Sequence, residues 1–103
     1  EILINLLKRV KNIVKDEKIE NLNIDSILFE LEEEKTLYNF ANQLETIENT
    51  DFSNYIETLL NNAATINEFF DNVIINVDDK KLKNNRIALL KKLENSIDKM
   101  ISI

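Results

Sequence analysis

The sequence predicts an all-α fold, an antiparallel helical bundle of about five helices. Two observations carry that expectation. First, the 103 residues contain no Gly and no Pro, where ordinary usage gives about 7% and 5%. Hairpins, bulges and tight turns draw on both residues, because Gly reaches positive φ without steric cost and Pro fixes φ near −65°. A sheet-rich fold lacking them is hard to build. Second, apolar residues recur at spacings of three and four along most of the chain, which places them on one face of successive helices. The length suits one domain, and a chain of this size buries roughly 60–70% of its unfolded surface, enough for a single core. Composition agrees, with 44% hydrophobic and 31% charged residues.

Taken in order, Leu3, Leu6, Leu7, Val10, Ile13 and Val14 predict a first helix over about 2–17. Residues 18–26 are polar and irregular, and Asp25 or Ser26 is placed to cap the second helix. Leu37, Phe40, Ala41, Leu44 and Ile47 form the second stripe, running to about Glu48. Asp51 is the natural N-cap of a third helix carrying Phe52, Tyr55, Ile56, Leu59, Leu60 and Ala63. Thr65 and Glu68 have capping-box spacing and predict the start of a fourth, with Phe69, Phe70 and Val73 behind them. The β-leaning run 73–77 reads as a helix end or an extended connector. Asp78 and Asp79 then cap a long last helix with Leu82, Leu89, Leu90, Leu93, Ile97 and Met100. Tyr38, Tyr55 and most of the five Phe fall on these apolar stripes and read as core.

Composition also narrows the chemistry. Phosphate-cradling loops and dinucleotide fingerprints need Gly where the backbone must approach a ligand closely. With Cys 0 and His 0 there is no thiol nucleophile, imidazole base or zinc knuckle. Carboxylates are plentiful, but Glu30, Glu32, Glu33 and Glu34 sit where an exposed helix start would complement the positive end of the helix dipole. No catalytic residue and no metal ligand is singled out. No run approaches the roughly 18 apolar residues of a membrane span, so neither a membrane partner nor a membrane location is expected.

Net charge is −6, yet the charge is segregated. Residues 1–20 carry five basic and four acidic side chains, 21–78 carry one and twelve, and 79–103 carry seven and three. Lys8, Lys11, Lys15 and Lys18 run along one side of the first helix, away from its core stripe. Six basic residues and no acidic one lie between Lys80 and Lys92. If the first and last helices pack together, the two runs form a single positive surface on an acidic body. Taken alone, such stripes are also the ordinary solvated backs of amphipathic helices, and nucleic-acid-binding domains are usually basic overall.

Residues 66–103 add a resemblance. Ile66, Phe69, Phe70, Asp71 and Val73, then the acidic turn Asp78-Asp79, then Asn85, Arg86, Ile87, Leu89 and Leu90 resemble the C-terminal end of the bacterial glycyl-tRNA synthetase beta subunit. Lys8-Arg9-Val10, Asn12-Ile13 and Glu34 with Leu37-Tyr38 look like the same family in the expected order. The resemblance implies one DALR-type anticodon-binding domain over 1–103, the C-terminal piece of a longer cytoplasmic subunit and without catalytic activity of its own. It further implies a glycine tRNA as partner, together with the rest of the beta subunit and an alpha subunit in a heterotetramer. ATP and Mg would then act at the alpha-subunit site, with no cofactor in this piece. Lys80, Lys81, Lys83, Asn84, Asn85 and Arg86, with Lys8, Lys11 and Lys15 on the first helix, are the candidate tRNA contacts. Phe69, Phe70, Asp71 and Arg86 form a candidate structural motif, since Arg86 borders the core stripe and is placed to pair with Asp71 or to cap carbonyls of the fourth helix. The competing class is a helical docking module that contacts protein and not RNA.

Overall fold

The computed structural model describes residues 2–15, 17 and 23–100. Five α-helices succeed one another: α1 (Ile2–Val14), α2 (Glu32–Thr46), α3 (Phe52–Asn61), α4 (Ala63–Asn72) and α5 (Lys80–Asp98), with a 3-10 turn at Ser26–Leu28. No strand occurs among the described residues, so the all-α expectation holds.

The stripes do what their spacing requires. Leu6, Leu7, Val10 and Val14 of α1 are buried, as are Leu37, Phe40, Ala41 and Leu44 of α2. The side chain of Leu3 lies outside the described residues, as does Lys18. α1 ends three residues earlier than its pattern suggests. Lys15 and Glu17 donate their amides to the carbonyls of Lys11 and Val14, closing the last turn.

Both predicted aspartate caps, at Asp51 and Asp79, are present. The Asp51 carboxylate accepts from the Asn54 amide at 3.3 Å, and that of Asp79 accepts from Lys81 and Leu82. Each satisfies donors that a helix start leaves open. Asp25 caps as well, but only the 3-10 turn, by accepting from Ile27 at 3.0 Å. α2 begins later, at Glu32.

Two local expectations fail for a visible reason. Thr65 does not start α4; it lies in its first turn, and Asn62 is the junction. With φ −113° and ψ 12°, Asn62 turns its side-chain amide back to donate to the Thr58 carbonyl at 2.8 Å. Its own carbonyl accepts from Thr65 and Ile66 and opens α4. Phe52 and Leu60 do not join the core either: they are 52% and 53% exposed, while Tyr55 and Leu59 face inward. Beyond α4 the chain is extended at Val73, with φ −109° and ψ 119°, and then turns tightly, the Val77 amide donating to the Ile75 carbonyl at 2.9 Å.

α5 is the central element. From Asn85 to Leu90 every residue is at most 4% exposed, and a helix buried on all sides is a core helix. α1, α2 and the 3-10 turn all pack against it, and α4 closes the bundle against α1 and α2. Tyr55 ties α3 to α5 by donating its hydroxyl to the Ser96 carbonyl at 2.8 Å.

Candidate nucleic-acid interface

The basic run of α5 starts in the helix's first turn, directly after the Asp79 cap. Lys80, Lys81 and Asn84 are exposed there and Lys83 is half-buried. Lysines are poor residues for that position electrostatically, since the helix N-terminus already carries positive partial charge and favours carboxylates. No acidic residue occupies this first turn. The cluster therefore does nothing to stabilise the helix and leaves a concentrated positive charge at one end of the bundle.

The lysines fan around the helix. At 100° per residue, Lys81 and Lys83 project about 160° apart, whereas Lys80 and Lys83 fall within about 60° of each other. The first-helix lysines are similarly divided. Lys8 and Lys15 are exposed, but Lys11 reaches Asp98 at 2.6 Å and Glu94 at 3.9 Å on α5. Those acids stand roughly 16–27 Å further along α5 than Lys80 and Lys83, from the rise per residue. So α1 and α5 do pack, but the single positive surface does not form where they meet, because acidic residues of α5 neutralise the border. Arg9, also exposed, lies over the Phe70 ring with its guanidinium carbon 4.4 Å from the centroid.

Asn85 and Arg86, expected among the RNA contacts, turn inward instead. The Asn85 side-chain oxygen accepts from the Asp25 amide at 2.8 Å, and its nitrogen donates to the Asp25 carbonyl at 3.1 Å. One side chain thus pins the backbone ahead of the 3-10 turn onto α5. Arg86 is 4% exposed. Its Nε donates to Glu34 at 2.9 Å, Nη1 to the Ile74 carbonyl at 2.8 Å, and Nη2 to Glu30 at 3.1 Å. The partners of Arg86 are thus Glu34, Glu30 and a carbonyl just beyond α4, and not Asp71. Asp71 is exposed and accepts from Asn67 on its own helix at 3.2 Å, while Phe69 is fully buried beside the half-buried Phe70.

Glu34 is the residue that sequence reasoning misplaces. Its position predicts a solvated helix start, yet it is completely buried. Its Oε2 accepts from the amides of Glu30 at 2.8 Å and Leu31 at 2.9 Å, while Oε1 takes Arg86. An ion pair this dry persists only where further hydrogen bonds support it, and among the described residues no buried side-chain polar atom lacks a partner. The sequence does hold a signal: Glu34 is at the third helical position, where a carboxylate folds back onto the N-cap amide. What spacing does not show is the cation across the bundle.

A groove of about 450 Å³ that leaves no trace in the apolar spacing lies between the 3-10 turn and α2. Phe29 and Tyr38 line it in an edge-to-face pair, with centroids 5.7 Å apart and planes at 62°. Lys35, Asn39 and Glu32 stand on the same α2 ridge around them. At the far end of α2, Lys92 bonds the Glu45 carboxylate at 3.0 Å, and the Lys99 ammonium donates to the carbonyls of Glu45 and Ile47. A cation there complements the negative helix end.

The DALR anticodon binding domain family matches residues 3–103, nearly the whole chain. The chain belongs to the DALR anticodon-binding domain family. Similar curated relatives are glycine–tRNA ligase beta subunits. That of Rickettsia africae is 33% identical over 95% of this chain and 15% of the relative. That of Thermodesulfovibrio yellowstonii is 36% identical over 94% and 15%, and that of Streptococcus agalactiae serotype Ia is 43% identical over 68% and 10%. The DALR chain thus spans about 15% of the length of the relatives it matches across. Among its described residues no helix is long and apolar enough to cross a membrane.

Proposed function

We propose that this DALR domain binds the anticodon arm of a glycine tRNA as one module of a glycine–tRNA ligase beta subunit, and so supports ATP-dependent glycylation of tRNA in the cytoplasm. The observation that carries the reading is the lysine cluster in the first turn of α5, an anion-seeking feature that helix stability does not explain, on a domain of an anticodon-binding family. A helical bundle offers no groove code, so recognition rests on phosphate contacts together with side chains that reach unstacked loop bases. Lys80, Lys81 and Asn84 are the accessible contacts at this end, with Lys8 and Lys15 on α1 as outlying ones. Lys83 is half-buried and projects away from Lys81. Asn85 and Arg86 act indirectly, by holding the start of α5 and the 3-10 turn in place.

The remaining partners are the rest of the beta subunit and an alpha subunit in a heterotetramer. In this reading ATP and magnesium belong to the alpha-subunit site, and this domain carries no cofactor of its own.

The test is a titration with a glycine-tRNA anticodon hairpin, and the same hairpin with its anticodon scrambled, across a salt series. Tighter cognate binding, weakening with salt by a log–log slope of about 0.7–0.9 per phosphate neutralised, supports the reading. Equal or absent binding removes it.

One observation favours docking on protein. Phe52, Ile56 and Leu60 line a shallow apolar groove of about 380 Å³ on the outer side of α3. With 15% of the relatives' length matched here, the remainder of such a subunit is a ready occupant. The two readings are compatible, because this face and the lysine cluster are on different helices. Concentration-dependent self-association abolished by Leu60→Asp, with no binding of the rest of the subunit, would argue against that occupant.

A further inference from the structure

We propose that the groove between the 3-10 turn and α2 takes one unstacked base of the bound RNA loop, and that the Glu32 carboxylate at its rim favours a base carrying an exocyclic amine. The proposal rests on the RNA-binding reading and names what that site selects.

The groove has the two surfaces such a base requires. Its apolar wall is the Phe29–Tyr38 pair, both rings half-buried and therefore partly accessible. Exposed aromatic faces are where single-stranded RNA bases stack. The wall is also held in place before any ligand arrives. Asn85 fixes Asp25 with two hydrogen bonds, and Phe29 donates its amide to the Ser26 carbonyl at 3.2 Å. The 3-10 turn thus carries its aromatic on a rigid mount, anchored to the most buried helix in the molecule.

Its polar wall is one ridge of α2, where Glu32, Lys35 and Asn39 succeed one another at helical spacing. Lys35 is the sole basic residue between positions 21 and 78, and it stands at this groove. Its ammonium supplies the positive charge needed to admit a nucleotide into an acidic surface. Glu32 is exposed at the rim. An ionised carboxylate only accepts hydrogen bonds, so it favours the N4 amine of cytosine or the exocyclic amine of adenine or guanine. Uracil has no exocyclic amine, and its ring N3–H lies between two carbonyl oxygens that repel the carboxylate, so it is disfavoured. Glu30, the second carboxylate there, is held by Arg86 at 3.1 Å, which leaves Glu32 as the reader.

The groove is also joined to the lysine cluster. Lys81, Asn85, Ala88 and Lys92 fall on one stripe of α5, at i, i+4, i+7 and i+11. Asn85 holds the residue next to Ser26 at the groove edge, and Lys92 stands 5.8 Å from the Tyr38 ring centroid. Lys81 is one turn beyond Asn85, about 6 Å along the axis. It is therefore placed for the phosphate of a nucleotide whose base enters the groove.

The experiment titrates the full chain with a glycine-tRNA anticodon hairpin in which each loop base in turn is removed or replaced by uracil. Wild type is compared with Tyr38→Leu, which keeps apolar volume without a stacking face, and with Glu32→Gln. Melting curves establish that both variants are folded. One loop position is expected to lose about 5- to 150-fold in affinity when abasic, and Tyr38→Leu should erase that loss. Uracil at the same position should weaken wild type about fivefold or more, with the discrimination gone in Glu32→Gln. Penalties identical in wild type and both variants at every position overturn the groove while leaving RNA binding standing. A wild type that binds no hairpin overturns both.

Discussion

The Glu34–Arg86 pair is where the bundle is most vulnerable. Glu34 is fully buried and Arg86 nearly so, and the two join the start of α2, the α4–α5 connector and the second turn of α5. Glu34→Gln preserves the shape and an oxygen for the Glu30 and Leu31 amides, but removes the charge opposite Arg86 and turns a donor toward a donor. Arg86 then keeps only the Ile74 carbonyl and Glu30, whose side chain is 59% exposed. Breaking a buried pair by removing one partner costs about 3–5 kcal/mol. A domain of this size has roughly 5–15 kcal/mol in all. At about 4–8 °C per kcal/mol for 60–100 residues, the expected fall in Tm is on the order of 12–40 °C. Urea unfolding followed by far-UV circular dichroism, with an unchanged m value, measures the free energy. Arg86→Met and the double variant complete a cycle. The double variant should be less destabilised than the sum of the singles by about 2 kcal/mol or more, because it leaves no unpaired buried charge. A loss below about 1 kcal/mol in Glu34→Gln, or strict additivity in the cycle, would refute the reasoning.

Three other outcomes are expected. Burial, and then the Asp98 charge, push the Tyr55 hydroxyl from 10.0 up to about 12. The folded state thus keeps this proton to higher pH than the unfolded chain. The corresponding stability is intact below pH 10 and is lost as pH rises toward 12, by roughly 2–3 kcal/mol at one pKa unit per 1.36 kcal/mol for a residue this fully enclosed. Urea midpoints of wild type minus Tyr55→Phe, measured from pH 9 upward, should shrink over that window; a constant difference contradicts it. Asp79→Ala removes the two amide bonds that open α5 and should cost about 0.5–2 kcal/mol in thermal or urea unfolding; an unchanged midpoint contradicts it. Lys81→Ala should reduce the salt slope of RNA binding by about 0.7–0.9, whereas Lys83→Ala, on the opposite side of α5, should leave it nearly unchanged; equal effects of the two would place the RNA elsewhere.

The helices and their caps are legible because the information is local. Leu37, Phe40, Ala41 and Leu44 declare a face within two turns, and Asp51 and Asp79 cap amides two or three residues away. Even the family resemblance rests on such runs, Phe69-Phe70-Asp71 and Asn85-Arg86 above all. Spacing does not reveal which face meets which neighbour. Phe52 and Leu60 lie on α3's apolar pattern yet stand outside the core, since α3 packs mainly on α4.

The sequence by itself thus determined an all-helical chain, its helix starts at Asp51 and Asp79, and a lysine cluster opening the last helix. Only the tertiary structure decided what the polar residues do. Glu34 and Arg86 are 52 positions apart, and Asp25 and Asn85 are 60, so neither pairing leaves a periodic trace. The same holds for Phe29 and Tyr38, which share a groove because Asn85 fastens the turn before one of them to a helix on the other side of the chain. A charge or an aromatic ring acquires its role from what folding brings beside it, and that is set by packing across the bundle.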